Sequence, residues 1–172
     1  IAYDQQGNKL RTAKYDDNSW TILEANKLDK ITYWVNDTYD IEDEHEIFSP
    51  AGTNISSDNF MLNMHGFVGY FDGFKETPYQ ISITKPENLF GATALNDQDP
   101  SNKLDVFKLN RYHEVVDNPI MYSQPDTTSF KIDDMDILIS VYSPNKIHNA
   151  QAIKPAMQKM MQAQKAFLGD FN

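Results

Sequence analysis

From the first residue to about Ser143, turn-forming residues recur roughly every eight to fifteen positions with short β-rich runs between them, close to the rhythm of an all-β sandwich. Ile1 to Tyr3, Lys9 to Lys14 and Trp20 to Glu24 are expected as short strands. They are parted by Asp4-Gln5-Gln6-Gly7-Asn8 and Asp16-Asp17-Asn18-Ser19, both rich in turn formers. Lys30 to Asn36 is the clearest strand: Ile31, Tyr33 and Val35 share one face, and Trp34 points the other way, where a partner or a second layer could cover it. Asp37 to Asn59 has little periodicity and reads as a long excursion between strands.

Strands resume at Phe60 to Met64, Gly66 to Phe71, Tyr79 to Thr84 and Ala92 to Leu95. In the third, Tyr79, Ile81 and Ile83 alternate with Gln80, Ser82 and Thr84, as a sheet with one wet face requires. Asn96 to Asn102 reads as a solvated loop, and Val106 to Leu109 and Tyr112 to Val116 as strands leading to a turn or extended segment at Asp117-Asn118-Pro119. Ser129 to Asp133 and Asp136 to Tyr142 complete the set.

The pattern changes after Ser143-Pro144-Asn145. Ile153, Met157, Met160, Met161, Gln164, Phe167 and Leu168 recur mostly at three- and four-residue intervals, with Pro155 suited to a first helical turn and Gly169 to the terminating position. The expected fold is therefore mainly β, an antiparallel β-sandwich over residues 1–144, followed by a linker and one amphipathic C-terminal helix over 145–172. That helix either packs on its own domain or offers its apolar face to a domain outside this sequence.

Composition narrows the partners. A chain of 172 residues with 40% hydrophobic content can bury one sizeable core. A formal charge of −10 repels phosphate backbones and anionic lipid, so neither nucleic acid nor a membrane surface is expected as a partner. No apolar run approaches the roughly 20 residues of a membrane span. The chain has no cysteine, which removes disulfides and thiolate zinc sites. It opens on Ile1-Ala2-Tyr3, as an excised or processed piece would. Its asparagine-, lysine- and aspartate-rich composition is compatible with export in a bacterium, without assigning a compartment.

Candidate chemistry is sparse. His45-Glu46 begins like the zinc motif His-Glu-x-x-His, but Ser49 stands where the second histidine belongs. His65, His113 and His148 are scattered, and only His113 has an adjacent carboxylate, Glu114. Asp40, Glu42, Asp43, Glu44 and Glu46 lack the spaced ligands and turn glycine of a calcium loop, and read as a solvated charge run. No Gly-x-Ser-x-Gly elbow or phosphate-binding loop occurs, and the glycosylation patterns at Asn36 and Asn54 are of a kind frequent by chance. No residue is therefore assigned a catalytic, cofactor-binding or metal-ligating role. Trp20, Trp34, Tyr70 and Tyr122 are expected mostly to fill the core.

Four segments in fixed order carry a resemblance: His65-Gly66-Phe67, then Pro78 to Ile83, then Ala92-Thr93-Ala94-Leu95, then Tyr112 to Pro119. With Ala2-Tyr3-Asp4 and Gly7 ahead of them, the chain resembles the amino-terminal domain of the glycyl aminopeptidase family of zinc metallopeptidases. The resemblance implies a part of an enzyme that does no chemistry itself and has no cofactor of its own. Its partners would be the catalytic domain of the same polypeptide and, through the parent enzyme, a peptide substrate. It also implies strands ahead of Ile1, a helix from Ala152 to Leu168 that opens the zinc domain, and a zinc-binding helix after Asn172. A sandwich cut in this way is expected to expose strand edges and self-associate. The alternative from another class is a self-standing carbohydrate- or protein-binding β-sandwich, drawing on nine tyrosines and two tryptophans.

Overall fold

The computed structural model describes residues 1–39 and 52–169. The acidic run from Asp40 to Glu46, its histidine and the end of the chain from Asp170 lie outside the described residues. The chain forms two compact units, Ile1–Asn36 and Asp37–Asn172. Both are built of antiparallel strand pairs, and the second carries one long C-terminal helix.

The first unit holds two strand pairs. β1 (Ala2–Asp4) pairs with β4 (Leu28–Ile31), and β2 (Thr12–Lys14) with β3 (Trp20–Ile22). The turn after β1 is built by Asp4, whose Oδ1 accepts from the backbone N–H of Gln6 at 3.0 Å and of Asn8 at 2.8 Å. Gly7 sits there at φ 81°, which only glycine adopts without strain. The strand expected over Lys30 to Asn36 stops at Ile31. Ala2 lies opposite Ile31, and Thr32 exchanges hydrogen bonds with Ile1. Only Ala2 and Leu10 are buried in this unit, so its aromatic residues did not become core.

In the second unit a four-stranded antiparallel sheet runs in the order β5 (Asn54–Ile55), β6 (Phe60–Leu62), β10 (Ile120–Ser123), β8 (Phe90–Ala92). A separate ribbon pairs β7 (Tyr79–Thr84) with β9 (Leu104–Leu109) through six residues. Tyr79, Ile81 and Ile83 on β7, with Phe107 and Leu109 on β9, pack against Ile120, Tyr122, Phe60 and Leu62 of the sheet. The alternation read from β7 holds along its whole length, with Gln80, Ser82 and Thr84 exposed. Val115, Ile120 and Tyr122 are fully buried, and each such side chain contributes about 1.5–3 kcal/mol by leaving water.

Several expected strands differ from this. β10 lacks the alternation that marks a half-wet strand, because Ile120-Met121-Tyr122-Ser123 has neighbours on both edges and is buried on both faces. Tyr112–Val116 is a one-turn helix, α1, rather than a strand. Its turn is held by Glu114, which accepts from the Asn110 N–H at 2.9 Å, and it buries Val115. Gly66 to Phe71 is not a strand either. Met64–Gly66 forms a 3₁₀ turn, and the N–H groups of Phe67 and Val68 both donate back to the Met64 carbonyl, so they are spent locally. The strand placed at Ala92 to Leu95 lies at Phe90–Ala92, in the register set by β10. The excursion from Asp37 contains β5, whose Ile55 N–H is held by Asp37 Oδ2 at 2.6 Å.

The last elements make a second core. β11 (Thr127–Ile132) and β12 (Met135–Ser140) form a hairpin through Asp133, at φ 51°. On it lies α2 (Ala150–Leu168), with Ala150, Met157 and Met161 packed over Phe130, Ile132, Ile137 and Ile139. Asn149 caps α2 by accepting from the Ala152 N–H at 2.8 Å, and Gly169 ends it at φ 78°. Because the helix begins earlier than its apolar stripe suggests, Pro155 falls in its interior rather than in its first turn.

Candidate functional site

The most constrained polar arrangement lies in the core of the second unit. Asp105 occupies an inward position of β9, opposite Ile83 and two residues before Phe107. A buried carboxylate there must be paired and hydrogen-bonded. Tyr122 Oη donates to its Oδ2 at 2.7 Å, and Lys85 Nζ lies 3.7 Å from its Oδ1. Lys85 in turn donates to the carbonyls of Asn102 at 2.7 Å and Leu89 at 3.1 Å. Burial first, and then the bond to Asp105, push the Tyr122 phenol far above its ordinary pKa. Gly91 lies against this pair: a Cβ there would stand 2.7 Å from both Asp105 Oδ2 and Tyr122 Cε1. A cavity of about 370 Å³ opens beside it, lined by Lys85, Gly91, Asp97, Ser101 and Asp105 among others. Asp97 is committed to the loop that forms the cavity wall, accepting from the N–H groups of Asp99 and Val106 at 3.0 and 2.7 Å. Lys85 is likewise spent on Asp105 and on main chain, and Asp105 on Lys85 and Tyr122, so the node ties β8, β9 and β10 and the end of β7 together.

Residues 1–124 match the sequence profile of the peptidase M61 N-terminal domain. The chain belongs to the peptidase M61 N-terminal domain family. The match ends just after β10, leaving the β11–β12 hairpin and α2 beyond it. The M61 domain is also similar in fold to an aminopeptidase N family protein from Idiomarina loihiensis, with a TM-score of 0.55 at 13% identity. That similarity covers 67% of this chain and 20% of the other, so the chain spans about one-fifth of its length. No curated protein matches the chain.

The four segments quoted for the resemblance lie around one core of the M61 domain. Met64 precedes His65-Gly66-Phe67 and is buried, Tyr79 to Ile83 form β7, Leu95 packs from the loop after β8, and Tyr112 and Val115 come from α1. Tyr112 Oη donates to the Val68 carbonyl at 2.7 Å, tying the first of these segments to the last. Their common role is to fix packing. Among the described residues the histidines do not converge: His65 is exposed on its turn, His148 is exposed before α2, and His113 pairs at 2.8 Å with Asp117 on the exposed side of α1. Among the described residues no group of histidines and carboxylates could hold a metal ion, and no helix is long and apolar enough to cross a membrane.

The aromatic residues correct the sequence reading. Tyr122 fills the core, but Trp20 is 61% exposed, Trp34 95% and Tyr70 45%. Tyr70 packs against Tyr112 with the rings tilted by 53° and centroids 4.9 Å apart, and Lys75 Nζ lies 3.9 Å over the Tyr70 ring. Sequence reasoning placed Tyr122 in the core but missed Lys85 and Asp105 as its partners. The available signal was Asp105 in phase with Phe107 and Leu109, an acidic residue at an inward position that demands partners.

Proposed function

We propose that this M61 domain is the noncatalytic amino-terminal part of a zinc-dependent aminopeptidase of the glycyl aminopeptidase type. In this reading it shapes access to the substrate cleft and packs on the catalytic part of the same polypeptide. The observation that carries the reading is the match of residues 1–124 to an N-terminal domain of a peptidase family. The metal, its glutamate base and the anchors for the substrate amine would then lie on the catalytic part, where zinc polarises the scissile carbonyl and activates water.

The test uses the purified 172-residue chain with added zinc and chromogenic glycyl and alanyl substrates. The expected results are no turnover and no stoichiometric zinc after gel filtration. Metal-dependent turnover by the chain alone overturns the reading.

Exposed Tyr15, Trp20, Tyr33 and Trp34 favour a second reading, a carbohydrate- or protein-binding module. Solution behaviour separates the two. A binding module stays monomeric and binds no hydrophobic dye, whereas a domain made to be covered binds dye or self-associates.

A further inference from the structure

The cavity of about 370 Å³ beside the Lys85–Asp105–Tyr122 node lies wholly within the second unit. Three carboxylates, Asp97, Asp99 and Asp105, line it against a single ammonium, Lys85. Asp105 is only 5% exposed. Its Oδ2 takes the Tyr122 hydroxyl, but its Oδ1 is met only by Lys85 Nζ at 3.7 Å and has no hydrogen bond among the described residues. A buried charged oxygen in that condition calls for a donor. Asp97 spends Oδ1 on the N–H groups of Asp99 and Val106, and its Oδ2 has no partner among the described residues. After burial and the bond to Asp105, the charge of Asp97 is a further cause of the raised Tyr122 pKa, so Asp97 and Asp105 act on one place. The remaining wall is apolar: Phe90, 41% exposed, with Phe107 and Leu138.

A ligand for this cavity brings positive charge and several donors at one end and apolar surface behind them. An ammonium is strongly hydrated and needs a shell of acceptors, which phenylalanine walls deny it. A guanidinium is planar and weakly hydrated, packs flat on an aromatic ring, and donates to two carboxylates at once. We propose that the cavity binds a guanidinium on an apolar stem, the group borne by an arginine side chain or a free guanidino compound. Asp105 Oδ1 and Asp97 Oδ2 are its acceptors, and Phe90 and Leu138 flank the stem. Water filling the cavity satisfies Oδ1 but leaves the surplus of negative charge uncompensated. The site is built by the second unit alone and goes beyond the peptidase reading, so it stands or falls independently of it.

The test titrates the 172-residue chain with N-acetylarginine amide by calorimetry, and with the corresponding citrulline amide, which has the same shape and no charge, and lysine amide. Amide shifts in NMR locate the site. The expected results are one equivalent of the arginine probe, shifts centred on Gly91, Ser101 and Asn102, and citrulline and lysine probes at least about tenfold weaker. Asp97→Asn removes the charge while keeping an oxygen for the Asp99 and Val106 N–H groups, and it weakens the arginine probe at least about tenfold with Tm little changed. A blocked Ala-Arg-Ala peptide binding tighter than agmatine marks a peptide-borne arginine, and the reverse order a free guanidino compound; either supports the site. Equal binding of the citrulline probe, shifts scattered over the acidic surface, or indifference to Asp97→Asn overturns the proposal. A lysine probe as tight as the arginine probe overturns the guanidinium assignment.

Discussion

Replacing Tyr122 by phenylalanine tests whether the Lys85–Asp105–Tyr122 node holds the two layers of the second unit together. The change keeps the ring and its packing against Phe60 and removes only the Oη that donates to Asp105 at 2.7 Å. Both residues are buried, and among the described residues Asp105 then keeps Lys85, at 3.7 Å. A bond to a charged acceptor in such a place contributes about 2 kcal/mol, which lowers Tm by about 4–8 °C for a chain of this size. Urea unfolding followed by circular dichroism at pH 8 measures the difference. Tyr142→Phe is the control, because its hydroxyl also bonds a carboxylate, Asp58 at 2.9 Å, but at an exposed position where water takes over. The same pair of variants carries a pH signature. Tyr122 has a folded-state pKa raised above the unfolded value of 10.0, so its contribution is complete below pH 10 and is lost as pH rises beyond it. The gap between the native protein and Tyr122→Phe therefore closes from pH 10 upward, at about 1.4 kcal/mol per pH unit. A Tyr122→Phe variant as stable as the native protein, or a gap that persists unchanged at alkaline pH, refutes the reasoning.

Gly91→Ala strikes the same node by steric means. Its Cβ meets Asp105 Oδ2 and Tyr122 Cε1 at 2.7 Å, neither of which can swing away, and a loss of about 1–3 kcal/mol in chemical denaturation is expected. Stability equal to the native protein shows that β8 can shift relative to β10 without penalty. Trp20 and Trp34, the two tryptophans, are exposed, so native fluorescence is red-shifted, is quenched readily by acrylamide and changes little on unfolding. A blue-shifted, shielded native emission shows instead that one or both are covered in solution.

The sequence alone determined which segments are extended and which is helical wherever one face meets water and the other does not. β7 was legible residue by residue, β11, β12 and α2 were legible in outline, and the order of four short segments was enough to suggest the family. What the sequence left open depended on neighbours distant along the chain. β10 is hidden because sheet neighbours on both edges and burial on both faces remove its alternation. The strand predicted through Trp34 ends at Ile31, the last residue that pairs with β1. α1 is a helix turn because Glu114 secures the Asn110 N–H, a local bond that outweighs the β preference of its valines. Asp105 became a structural centre only when β9 placed it beside Lys85 and across from Tyr122, 20 and 17 residues away in sequence. Periodicity records how each segment meets solvent, whereas pairing, register and the matching of buried charges are settled only when remote segments share one core.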